Sequence, residues 1–134
     1  MEETLFLEKI QNTFTRIEAI VDKWNIDYDL VIEINKEANV LEIEFENQKK
    51  IILNAQTPMR QLWMASELGA YHFSFDEKGW KNTRGSGFFK DIFLRDAVIL
   101  SEIKFSLEGL IVDWMYGIRV QCFDIYRFNS SLRQ

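Results

Sequence analysis

Carboxylates are the chemically versatile groups this chain holds in quantity: 21 Asp and Glu against 16 Lys and Arg, with one His and one Cys. Glu18, Asp22, Asp27, Asp29 and Glu33 fall within one short span. Oxygen donors of this kind hold hard cations, and exposed ones lacking a preformed cage hold them weakly and with little selectivity. The same ridge reads equally as an electrostatic handle for a basic partner, or as solvation alone. Glu18 and Asp22, four residues apart, share the outer face of a helix. The lone His72 and lone Cys122 exclude most metal cages built from those ligands. Nothing in their spacing supports a Cys-His nucleophilic pair, and Cys122 reads as a small buried hydrophobe. No serine sits in a nucleophile elbow. Arg84-Gly85-Ser86-Gly87 matches neither GxGxxG nor a Walker A loop, so it carries no phosphate role.

A second constellation lies in Asn54 to Phe75, which holds the only Pro, Pro58, and the only His, His72. Two strands fit this stretch, near 59–64 and 70–75. Strand side chains alternate between faces, so Leu62 and Met64 point one way while Gln61 and Trp63 point the other. Tyr71, Phe73 and Phe75 likewise oppose His72 and Ser74. If the first set is core, then an indole, a carboxamide and an imidazole share the opposite face. A large aromatic among polar neighbours suggests a docking surface. The alternative is that another part of the same chain covers Trp63.

The elements that must position these groups follow from periodicity. Leu7, Ile10, Phe14, Ile17, Val21 and Trp24 recur at three or four residues, predicting a helix over 3–24 with Thr4 as N-cap. Asn25 to Asp29 breaks that period. Strands are expected at Leu30–Asn35, Leu41–Glu46 with an acidic outer face, and Lys49–Leu53, with turns at Lys36–Asn39 and Asn47–Gln48. Lys49 and Lys50 can offset nearby Glu side chains across the ladder. A hairpin turn at Asp76–Gly79 leads to a short strand at Trp80–Asn82. Helix 88–103 follows, with Phe89, Ile92, Phe93, Ala97 and Leu100 as its buried stripe and Ser86 as a possible cap. Lys104 to Ser106 reads as a short extended piece. The expected fold class is therefore α+β: a two-layer sandwich in which an antiparallel sheet of 5–7 strands carries both helices on one face. Leu110 to Gln134 is apolar and fits strand and helix periods alike. It is too apolar for a disordered tail, and it is expected to pack on the domain or form an oligomer contact.

At 134 residues one domain is the prior, and 47% hydrophobic residues suffice for a core. A net charge of −5 argues against nucleic-acid binding, which needs cationic surface, and favours a cation or a basic partner. No apolar run reaches the roughly 18–20 residues of a membrane span. The acidic start, Met1-Glu2-Glu3, lacks the marks of a secretory signal or transit peptide. With no intramolecular disulfide possible, a reducing, bacterial cytoplasmic setting is the simple expectation, although a processed organellar protein also fits.

The run Asn54-x-Gln56-x-Pro58-x-x-Gln61-x-Trp63, then Gly69-x-Tyr71-His72-Phe73, then Trp80, with Arg84 in the loop before the second helix, resembles the frataxin family. Its bacterial CyaY-type branch fits best, and a first helix ending at Trp24 before Asp27 and Asp29 agrees. The resemblance spans about residues 3 to 107. It implies the two-layer sandwich and weak binding of iron (Fe²⁺ or Fe³⁺) by carboxylates of the first helix and first strand, here Glu18, Asp22, Asp27, Asp29 and Glu33. It also implies docking on a cysteine desulfurase and its iron–sulfur scaffold protein through Asn54, Gln61, Trp63 and His72. The implied activity is that of a non-catalytic iron donor or regulator of cluster assembly. A ferroxidase and a metal-independent adaptor are the alternatives. A monomer is expected, with metal-driven association left open.

Three departures stand out. Ala19, Lys23, Asn25 and Val31 occupy places where relatives carry acids, which lowers the expected iron capacity. Gly69-Ala70 replaces a Gly-Gly pair. Residues 108–134 form an apolar C-terminal extension beyond the 1–107 frataxin-like domain, expected by analogy to pack along the helices.

Overall fold

The computed structural model describes residues 1–102; the expectations for Lys104–Ser106, the 108–134 extension and Cys122 lie outside the described residues. Chain order is helix α1 (Glu3–Tyr28), strands β1 (Glu33–Glu37), β2 (Val40–Glu44) and β3 (Lys50–Gln56), a 3-10 turn (Thr57–Met59), strands β4 (Gln61–Ser66), β5 (Gly69–Asp76) and β6 (Gly79–Asn82), then helix α2 (Phe89–Ser101). The six strands form one antiparallel meander in chain order. This is the expected α+β sandwich, with both helices on one face of the sheet.

Period explains the layers. Ile10, Phe14, Ile17, Val21 and Trp24 on α1 are buried, as the spacing predicts, whereas the expected Leu7 is only half-buried and its neighbour Phe6 takes the core position. They meet Leu41, Ile43, Ile51, Leu53, Leu62, Met64 and Phe73 from the sheet, and Phe89, Ile92, Phe93, Ala97 and Leu100 from α2. Side chains of this kind stabilise the fold by about 1.5–3 kcal/mol each when fully buried. Trp80 is tied into this layer at three points. Its indole N–H donates to Thr13 Oγ1 at 2.9 Å, and Phe6 and Phe75 pack edge-on against its ring.

Several boundaries differ from expectation. α1 does not stop at Trp24 but runs to Tyr28 and ends on Asp29 in the left-handed conformation (φ 54°), whose N–H donates to Asn25 O. Asn25 is a fastener rather than a breaker. Its side-chain amide donates to Ile32 O at 3.0 Å, and its Oδ1 accepts from Ile32 N at 2.9 Å. A side chain thus satisfies Ile32, and β1 begins only at Glu33 instead of Leu30.

Glu2, not Thr4, is the N-cap of α1, and Phe88, not Ser86, is that of α2; neither makes a side-chain capping bond. β2 ends at Glu44 because Phe45 to Lys49 forms the turn, closed by Phe45 N donating to Lys49 O. β4 starts at Gln61 because Pro58 opens the 3-10 turn and Arg60 takes the left-handed conformation. Gly69 has φ 149° whereas Ala70 is absent from the positive-φ residues, so an alanine is accommodated there without backbone strain.

Candidate functional site: an uncovered sheet face

β4 and β5 place the predicted constellation. Leu62, Met64 and Phe73 are buried beneath the helices, while Gln61, Trp63 and His72 are half-buried on the opposite face. Asn54, Trp63 and His72 are direct cross-strand partners on three adjacent strands, so they form one row across the sheet. The rings of Trp63 and His72 stack face to face, with centroids 4.0 Å apart and planes 6° from parallel. The indole N–H donates to Gln61 Oε1 at 2.8 Å on the same strand face. Thr83 ties the backbone beneath the imidazole: both its N–H and its hydroxyl donate to His72 O, each at 2.9 Å. The aromatic platform is therefore preorganised, with one broad π surface and fixed polar edges.

Pairing also shows neighbours that the sequence reading passed over. Val40 lies opposite Asn54, and Ile52 opposite Ala65, which is itself opposite Ala70. Among the described residues Val40 is 36% and Ile52 41% exposed, so the row carrying Trp63 is flanked there by open apolar surface. The signal was available: Ile52 has the parity of Asn54 on β3. Towards the β1 edge the same face turns acidic, through Glu33, Glu37, Glu42 and Glu44.

The predicted carboxylates are spread rather than gathered. Glu18 and Asp22 lie one turn apart on α1. Asp27, being helical, falls roughly 140° further round the axis from Asp22. Asp29 caps the helix, and Glu33 begins β1 opposite Glu44. Two are paired with cations: Lys23 Nζ is 2.6 Å from Asp27 Oδ2, and Lys36 Nζ is 3.7 Å from Glu18 Oε1. Among the described residues no group of three or more His, Cys, Asp or Glu is close enough to hold a metal ion. Asp22, Asp27, Asp29 and Glu33 are hard oxygen donors on open surface, whereas Glu18 is half-buried.

Elsewhere one carboxylate is out of place. Asp96 is only 1% exposed on the buried stripe of α2, and its Oδ2 has no hydrogen-bond partner. Burial pushes its carboxyl above the usual carboxylate range, opposed by Arg95, whose Nε donates to Oδ1 at 2.9 Å. Arg95 reaches on to Tyr71 Oη at 2.8 Å, joining α2 to β5. The sequence reading left Asp96 off the stripe, although it stands four residues after Ile92 and three after Phe93.

A helix, a six-stranded meander and a second helix, with an aromatic platform on the side of the sheet away from the helices, define an α+β sandwich. The chain belongs to the frataxin family: a family model described as "Frataxin-like domain" matches residues 1–98. It is 38% identical over 91 residues to the iron-sulfur cluster assembly protein CyaY of Bordetella avium, covering 68% of this chain and 84% of that one. It is 42% identical over 87 residues to the protein of the same name from Cupriavidus taiwanensis, covering 65% and 78%. Among solved structures, a frataxin from Psychromonas ingrahamii superposes with a TM-score of 0.64 at 25% identity, covering 74% of this chain and 90% of that one. No helix among the described residues is long and apolar enough to cross a membrane.

Proposed function

We propose that this protein takes part in iron–sulfur cluster assembly as a non-catalytic iron donor or regulator, docking on a cysteine desulfurase and its scaffold protein through the uncovered sheet face. The stacked Trp63–His72 pair carries this reading. Asn54 and Gln61 supply its polar contacts, and Val40 and Ile52 its apolar margin. Half-exposed aromatics that are already ordered are the kind of residue that dominates interface energetics. Iron is handled as cargo by Glu18, Asp22, Asp27, Asp29 and Glu33, each contact weak and solvent-exchangeable. Such a protein works in the bacterial cytoplasm.

The deciding experiment is a desulfurase-coupled cluster reconstitution with and without this protein, repeated with Trp63→Ala. A change in cluster formation rate that the substitution abolishes supports the proposal. No change with the unaltered protein sinks it.

A second reading, the metal-independent adaptor, draws on the pairing of Asp27 with Lys23 and Glu18 with Lys36. Desulfurase binding that survives conversion of the five carboxylates to Asn and Gln, with no iron binding even by the unaltered protein, would favour it. The ferroxidase alternative predicts protein-dependent oxygen uptake with Fe²⁺.

A further inference from the structure

On the helical side of the molecule, far in character from the acidic sheet edge, α1, the β5–β6 turn and the start of α2 enclose a cavity of about 330 Å³. Four cations line it: Lys9 and Arg16 from α1, Lys78 from the turn and Lys90 from α2, against a single carboxylate, Glu77. Four positive groups less one negative leaves a local excess of +3, in a chain whose net charge is −5. Lys9 and Arg16 stand seven residues apart, two helical turns, so they share one stripe of α1.

The floor is aromatic and fixed. Trp80 lies there with its N–H satisfied by Thr13, and Phe75 packs edge-on against it at 5.0 Å between centroids. Lys9 Nζ sits 5.2 Å from the Phe75 ring centroid, a cation–π contact that holds one of the four charges over this floor. Neither Arg16 nor Lys78 has an ion-pair partner among the described residues.

We propose that this cavity binds a small organic phosphate. A phosphate monoester brings about −1.5 to −2 charges and three acceptor oxygens, which several converging cations match and a lone carboxylate ligand would leave unused. Arginine's planar fork pairs with phosphate oxygens. Phe88, Phe89 and Lys90, the N-cap and first residues of α2, line the same wall, so the positive end of that helix adds to the field. The volume lies at the small end of ligand sites, and the Phe75–Trp80 floor accepts a flat unsaturated group. The site stands apart from the sheet face, so it is independent of the docking proposal.

The test is an amide-shift NMR titration of the full chain with phenyl phosphate. Inorganic phosphate and sodium chloride at matched ionic strength serve as controls. Saturable shifts centred on Arg16, Lys78, Gly79 and Lys90, tighter for phenyl phosphate than for inorganic phosphate, are expected. Arg16→Ala should weaken binding about tenfold, the effect of losing one charge-assisted hydrogen bond. Glu77→Gln should tighten it. Both residues are solvent-facing, so neither change should alter the fold. Shifts reproduced by sodium chloride, equal affinity for inorganic phosphate, or binding indifferent to both substitutions would overturn the proposal.

Discussion

Trp63→Ala separates a docking platform from a core residue by magnitude. Among the described residues the indole stacks on one ring at 4.0 Å and donates to one acceptor at 2.8 Å. An aromatic pair contributes about 0.5–1.5 kcal/mol beyond its area, and a neutral hydrogen bond about as much. Gln61 regains water when the indole leaves, which offsets part of the second term. The expected cost is therefore about 1–2 kcal/mol. The adjacent Leu62, fully buried, should cost about 2–5 kcal/mol on truncation, because a cavity remains beneath the helices.

Urea denaturation of the two single variants, read by far-ultraviolet circular dichroism, gives both numbers. His72→Ala and the double variant complete a cycle in which the Trp63–His72 coupling should be about 0.5–1.5 kcal/mol. In parallel, Trp63→Ala should weaken desulfurase capture by about 2 kcal/mol or more, roughly 30-fold, as central aromatic anchors do. If Trp63→Ala destabilises as much as Leu62→Ala, or leaves capture untouched, the docking argument fails.

Three further outcomes follow from other parts of the fold. Asn25→Ala removes both bonds to Ile32 and should cost about 1–3 kcal/mol; hydrogen exchange should show faster amides at Asp29–Ile32 while the β3–β5 amides stay protected. Asp96→Asn should raise the melting temperature at neutral pH by a few degrees. Because burial raises the folded-state pKa of Asp96, the folded protein holds its proton to higher pH than the unfolded chain. Ionising Asp96 thus costs stability as pH rises through the folded pKa, and the cost is absent below the unfolded one; the benefit of Asn must fade on acidification, and a benefit that grows on acidification would contradict it. Converting Glu18, Asp22, Asp27, Asp29 and Glu33 to amides should remove paramagnetic broadening by Fe²⁺ from α1 and β1 without lowering stability by more than about 1 kcal/mol, since exposed ion pairs contribute little.

Alternation made the face of the candidate site legible. On β4 and β5 a two-residue period fixes the face of every side chain, so Gln61, Trp63 and His72 could be placed together, and their opposites assigned to the core, from order alone. Parity says nothing of ring geometry, so the near-parallel stack and the indole–Gln61 bond were not readable. The helical stripe of α1 was equally plain, but its end was not. Asn25 has a breaker's propensity, and only the position of Ile32, seven residues on, shows that its amide is occupied by another backbone. That extension turned the expected ridge: Asp27 left a loop and joined a helix, facing Lys23. The partners Lys23 and Lys36 and the buried Asp96 depend on how the layers meet, information that periodicity does not contain.

Among the described residues the meander leaves β1 as an unpaired edge, and its sequence is Glu33-Ile34-Asn35-Lys36-Glu37. A stray strand attempting to extend the sheet there would have to lay itself along three charged residues and an asparagine, with Ile34 as the one hydrophobic contact. Lateral growth into fibres is thereby discouraged. At the far side Lys81 already bridges Phe88 of the same chain, so the sheet is guarded at one margin by charge and at the other by its own backbone.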